Sequence, residues 1–239
     1  MKKLIIILLF TVFQYSNGQT VELQSMSDLT QQKLFSAGNV FIKDKTKKNL
    51  PTNLKGDPYL NKKFLDGNIV FDNSKKYSAL IRLDVSEQKF EIKKDVNSPI
   101  SSIGIDKTVK VNIGEKNYKL HSFTINSESE STLAILEEIL VTENFSLYLY
   151  PKKLIKFPDE KGISAPASGY QQQAAAQWKD DNKFIIIKNN IGYLVPKSHK
   201  KMSELNLIDS SEYKKYRKKN KLNLKDQESL KKFIVFLNS

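Results

Sequence analysis

The sequence predicts an α+β fold: a curved, mostly antiparallel β-sheet inclined to close toward a barrel, with two helices at its C-terminal end. Three observations predict it. Apolar and polar residues alternate in short runs between residues 68 and 195, the period-two signature of half-buried strands. Turn-forming residues divide these runs into hairpins. From residue 209 onward the period lengthens to that of amphipathic helices. About eight strands are expected, in one domain over residues 57–239.

The chain opens with Lys2 and Lys3, an apolar run from Leu4 to Phe13, and small residues at Ser16 and Gly18. That is the layout of a secretory signal peptide cut before Gln19. The run is shorter than the roughly 20 residues that cross a bilayer. Residues 1–18 are therefore expected to be removed, and the mature protein to be exported to the periplasm or the cell exterior. No later segment is apolar for long enough to span a membrane as a helix.

Residues 19–56 read as an irregular leader in which Val40-Phe41-Ile42 is a candidate strand and Pro51 interrupts a lysine- and asparagine-rich connection. The segment Gly56 to Gly67 offers Tyr59, Leu60 and Phe64 as apolar anchors. Then Ile69 and Phe71, Ile81, Leu83 and Val85, and Phe90 and Ile92 alternate with polar neighbours, and the Ser86-Glu87 break between the last two runs marks a hairpin. A second hairpin joins Val109, Val111 and Ile113 to Tyr118 and Leu120 through Gly114–Asn117. Phe123 and Ile125 fall on the opposite parity, which predicts a β-bulge or a bend near His121 or Ser122. Leu133 to Val141 fits a helix or a strand; the turn Thr142-Glu143-Asn144 and the alternation of Phe145, Leu147 and Leu149 favour strand, turn, strand.

Residues 159–182 read as one long loop, small, polar and low in complexity. Phe184–Lys188 and Gly192–Val195 make a last hairpin across Asn189-Asn190-Ile191, ended by Pro196. Asp209 with Glu212 has the spacing of a capping box for a lysine-covered helix. A second helix from about Asp226 to Leu237 places Leu230, Phe233, Ile234 and Leu237 on one stripe.

Composition bounds the chemistry. There are 239 residues, no cysteine, two histidines and nine glycines. Disulfides, thiolate metal sites and a cysteine nucleophile are excluded, and a cysteine-free exported chain suits a bacterial envelope better than a small bridged secreted domain. The formal charge is +13, or +11 once Lys2 and Lys3 leave with the leader. Residues 197–221 alone hold nine Lys or Arg against three Asp or Glu.

Four stretches resemble a family of small, uncharacterised exported proteins of Bacteroidota-type bacteria: Gln19 at the cleavage site, GDPYLNKKFLDGNIVF (56–71), ALIRLDVSEQKFEIK (79–93) and YKKYRKKNKLNLKDQESLKKFIVFLN (213–238). The resemblance implies export and a sheet in which the region of Leu133–Tyr150 forms two strands. It implies no activity.

No catalytic set is read. His121, expected on an edge or solvent-facing position, and His199, expected in a lysine-rich connection, lack the setting of a Ser/His/Asp triad. No His-x-x-x-His or His-Glu-x-x-His spacing supports a metal, and no glycine-rich loop supports a nucleotide cofactor. Glu137-Glu138 and Asp180-Asp181 are carboxylate neighbours, but neighbours in a strand face opposite ways, whereas a glycosidase needs two carboxylates facing one sugar.

The one binding candidate is the basic helix, with Tyr213, Lys214, Lys215, Tyr216, Arg217, Lys218, Lys219 and Lys221. It suits an anionic surface or an envelope protein; nucleic acid matches the charge but not the exported address. Against this stands a structural reading in which the lysines are merely solvated and the two tyrosines dock the helix on the sheet. The leading expectation is a non-enzymatic envelope protein that binds a partner protein or an anionic component. A hydrolase with a carboxylate or serine site in a sheet cleft and a structural or assembly component of the envelope are the alternatives.

Overall fold

The computed structural model describes residues 40–42, 50, 51, 53–71, 76–126, 130–158 and 175–239. The expected signal peptide, most of the leader and residues 159–174 of the expected loop lie outside them. The fold is α+β and β-rich. Eleven strands form one sheet: β1 (Val40–Ile42), β2 (Leu65–Val70), β3 (Lys76–Asp84), β4 (Lys89–Lys93), β5 (Ser101–Ile105), β6 (Lys110–Ile113), β7 (Lys116–Ile125), β8 (Ser131–Leu140), β9 (Ser146–Tyr150), β12 (Lys183–Lys188) and β13 (Ile191–Leu194). β10 (Lys153–Lys156) and β11 (Gln177–Asp180) pair separately. Three helices follow, α1 (His199–Glu204), α2 (Ser210–Asn220) and α3 (Gln227–Leu237).

The sheet order is β1-β5-β4-β3-β2-β6-β7-β13-β12-β9-β8, and β8 also pairs with β7, so the last five strands close into a barrel. It is a mixed barrel, because β13 runs parallel to β7 through Ile191↔Thr124 and Gly192↔Ile125. The β12–β13 connection is a tight turn in which Asn189 and Asn190 both take positive φ, 50° and 62°, as a type I′ hairpin demands. At Gly192 a Cβ would lie 2.6 Å from Phe123 and from Ile185. Only glycine lets β13 close against the barrel's filling.

Three apolar cores result. The curled sheet buries Ile69, Ile81, Leu83, Phe90, Ile92, Val111 and Tyr118. The barrel is filled by Phe123, Ala134, Leu136, Tyr148, Tyr150 and Ile185. The helices cover the barrel's outside, where Leu230, Phe233 and Ile234 of α3 meet Phe145, Leu147 and Ile186.

β7 belongs to two of these cores, which explains its parity change without a bulge. Tyr118 and Leu120 face the curled sheet, whereas Phe123 and Ile125 face the barrel from the other side of the strand. The β7–β8 ladder runs in unbroken register from Asn117↔Glu138 to Thr124↔Ser131. The expected bulge is therefore not at His121 or Ser122; the one register shift in this region lies between Glu138 and Leu140, in the β8–β9 pairing. His121 is likewise not on an edge. It is half-buried, its ring 4.6 Å from that of Tyr148, and its Nε2 is buried with no hydrogen-bond partner.

Other differences from the sequence reading are local. The Leu133–Val141 segment is strand up to Leu140, within β8, as expected. The end of the expected 159–182 loop is strand β11, because Trp178 and its neighbours pair with Lys153–Lys156. His199 opens a helix rather than lying in a connection, with Ser198 as N-cap, so the C-terminal helices number three and not two.

Candidate anion-binding face

Each helix is started by a short polar side chain. Ser198 Oγ accepts from Lys201 N, Asp209 Oδ1 accepts from Ser211 N at 2.8 Å and Glu212 N at 3.4 Å, and Asp226 Oδ2 accepts from Ser229 N at 2.7 Å. α2 ends at Lys221, in the left-handed conformation with φ 50°, its N–H donating to the Arg217 carbonyl. The chain then turns through buried Leu222 and Leu224 into α3. Asn238 fastens α3 to the β8–β9 turn: its Oδ1 accepts from Asn144 N and Phe145 N, and its Nδ2 donates to the Phe145 and Ile234 carbonyls.

The eight residues singled out in the sequence divide into two groups. Tyr213 is buried, and its hydroxyl lies 2.7 Å from His199 Nδ1 on α1, while its ring meets Phe233 edge-on. Tyr216 is half-buried and stacks on Phe236. These two rings fasten α2 to α1 and α3, where the structural reading had them docking it on the sheet. Lys214, Lys215, Arg217, Lys218, Lys219 and Lys221 are all exposed. Among the described residues none of the six has an ion-pair partner; the ion pairs lie elsewhere, chiefly in the sheet. Arg217, Lys218 and Lys219 occupy the last turn of α2, with Asp209 at its N-cap and Glu212 in its first turn, the polarity that suits the helix macrodipole.

Between α1 and α2 lies a cleft of about 610 Å³, lined by Lys200, Ser203, Asn206, Ser210, Lys214 and Arg217, with His199 and Tyr213 behind them. Ser203 Oγ and Ser210 Oγ are 3.1 Å apart. Burial first, and then the nearby Arg217 cation, hold the His199 imidazole below its usual range. Burial raises the Tyr213 phenol, against the opposing pull of Arg217. Cations and hydroxyls around one carboxylate, Glu204, make a surface suited to an anion's oxygens. Lys200, Ser203, Asn206 and Ser210 were not anticipated. Ser198 followed by Met202 and Leu205 at helical spacing was the signal for α1, hidden within the lysine run.

The carboxylates are engaged elsewhere. Glu91 Oε2 accepts from Arg82 Nη2 at 2.6 Å and Nε at 2.9 Å. Glu137 takes Lys116 and the Tyr118 hydroxyl on one face of β8, and Glu138 pairs with Lys110 on the other. Two further hollows exist, about 640 Å³ beside Asp66, Ser78 and Lys94, and about 430 Å³ beside Tyr150, Lys152 and Trp178. Among the described residues no three His, Asp or Glu side chains gather as a metal site, and no helix is long and apolar enough to cross a membrane. No family model, no curated protein and no solved structure matches this chain.

Proposed function

We propose that this is an exported, non-enzymatic protein of the bacterial envelope that binds an anionic envelope component through α2 and the adjoining α1. One observation carries the reading: six exposed cations on a helix held through Tyr213 and Tyr216 against α1 and α3, with no ion-pair partner among the described residues. Unneutralised charge on a rigid support gives long-range attraction and requires no ordering of the chain on binding. Each cation near an anionic surface contributes on the order of 1 kcal/mol.

The test is co-sedimentation of the purified protein with envelope fragments of the producing bacterium, at low and high salt. Binding that salt abolishes, and that replacing Lys214, Lys215, Lys218 and Lys219 by Gln weakens, is the expected result. Salt-resistant binding that the four replacements leave intact would assign the interaction to a protein partner on another surface. No binding at all would remove the reading.

A further inference from the structure

Resting on the anion-binding reading above, we infer that the component bound is the surface of an anionic lipid bilayer, met by the flank of α2 and α3 that carries Tyr216, Val235 and Phe236. The two flanks of α2 differ in kind. Toward α1, Lys214 and Arg217 line a polar cleft. On the other flank, Tyr216 stacks on Phe236 with ring centroids 4.4 Å and planes 21° apart. This apolar pair is not submerged: Phe236 is 36% exposed and Val235, beside it on α3, is 58% exposed.

Helical spacing surrounds the patch with cations. Lys219 follows Tyr216 by three residues and Lys215 by four, and on α3 Lys232 precedes Phe236 by four. Lys215, Lys219 and Lys232 are exposed and, among the described residues, have no ion-pair partner, whereas Lys231, turned another way, holds Glu228 at 2.9 Å. A soluble polyanion needs charge alone. Aromatic and aliphatic side chains left at the surface inside a ring of lysines suit a charged interface with an apolar interior. The apolar groups enter the headgroup boundary, and the ammonium groups reach lipid phosphates along their own aliphatic stems. Aromatic rings favour that depth of a membrane.

The absence of cysteine makes a clean test, since a single Val235→Cys substitution can carry an environment-sensitive fluorophore with no competing thiol. The probes are vesicles of phosphatidylcholine alone and of phosphatidylcholine mixed with phosphatidylglycerol. Expected is a blue shift on the mixed vesicles only, with no shift from a label at Val96→Cys, a 76% exposed site in the curled sheet's β4–β5 connection. Lys215→Gln, Lys219→Gln and Lys232→Gln each lower vesicle binding about fivefold. Val235→Glu lowers it further with no change in melting temperature, which separates lost docking from lost folding. An unshifted Val235 label on a protein still retained by immobilised polyphosphate would overturn the inference and leave the anion-binding reading standing. Retention by neither would overturn both, and an equal shift on neutral vesicles would overturn the requirement for anionic lipid.

Discussion

The chain has two arginines, and they occupy opposite situations. Arg82, on β3, lies between the rings of Tyr59 and Phe64, 3.5 Å and 4.3 Å from their centroids, and grips Glu91 through two nitrogens while a third donates to the Lys62 carbonyl. Burial, and then the Glu91 charge, push the Tyr59 phenol up to about 12, so the hydroxyl stays protonated as a donor to Glu91. Arg217, on α2, is exposed at the rim of a cleft with no carboxylate partner among the described residues. The same planar, permanently charged group serves structure where it is desolvated and paired, and is left for an external anion where it is not. Several sheet charges are paired locally, as in Lys110–Glu138 and Lys116–Glu137. The helical end, with a net excess of six cations in residues 197–221 out of a formal +13, presents its charge outward.

The largest effects should come from the paired side. Arg82→Ala leaves Glu91, only 2% exposed, as a buried charge without its partner. Its expected cost is about 3–5 kcal/mol of unfolding free energy in urea titrations, against less than about 0.5 kcal/mol for Arg217→Ala. Equal costs would abolish the distinction between the two arginines. Phe233→Ala tests whether the cationic helices have a rigid base. Phe233 is 1% exposed and meets Tyr213, Tyr216 and Phe236. A loss of about 3–5 kcal/mol is expected. A change near zero would mean that α3 does not support α2, and the rigid-support argument would fall.

How far the sequence revealed this follows from which signals are local. The hairpin turns at Gly114 and Asn189-Asn190 were legible because positive φ restricts the residues that fit. The α3 stripe was legible because burial repeats at helical spacing. The tendency to close into a barrel was read from the curved antiparallel sheet, but the strand pairing that closes it was not, because the β7–β13 contact joins residues more than 60 positions apart and rests on only two paired positions. The parity change in β7 was visible but ambiguous, since a bulge and a strand shared by two cores leave the same mark. At the candidate site the cations were legible as a run. Their cleft was not, because it required α1, whose single buried residue, Met202, gives too short an apolar pattern.

A smaller effect sharpens the comparison through pH. Burial holds the His121 imidazole below its ordinary value of 6.5, and Lys119 and Lys107 act in the same direction against the opposing Glu138 carboxylate. As pH falls below about 6.5 the unfolded chain takes up a proton that the folded barrel resists. His121 therefore adds stability that is present above that pH and lost below it. Urea midpoints one unit above and one unit below 6.5 should drop for the wild type and drop less for His121→Phe. His199, depressed by burial and then by Arg217, contributes with the same sign at the helical end, so His199→Gln measures the other half. If neither substitution flattens the decline, the assignment of the decline to the two histidines falls.

The smallest effect is expected where the charge is greatest. Replacing Lys214, Lys215, Lys218 and Lys219 by Gln removes four exposed cations that touch no carboxylate among the described residues. Two of them, Lys218 and Lys219, lie in the last turn of α2, where a cation offsets the negative end of the helix dipole and adds a few tenths of a kcal/mol. Against that, the four repel one another along a single helix, and like charges three or four residues apart destabilise by a similar amount. The two contributions oppose, so the stability of the variant should stay within about 1 kcal/mol of the wild type in urea. Binding to the anionic component should fall steeply in the same variant. A clear stabilisation alongside lost binding would mean that the lysines persist at a cost to the fold, the strongest sign that an external anion is what they serve.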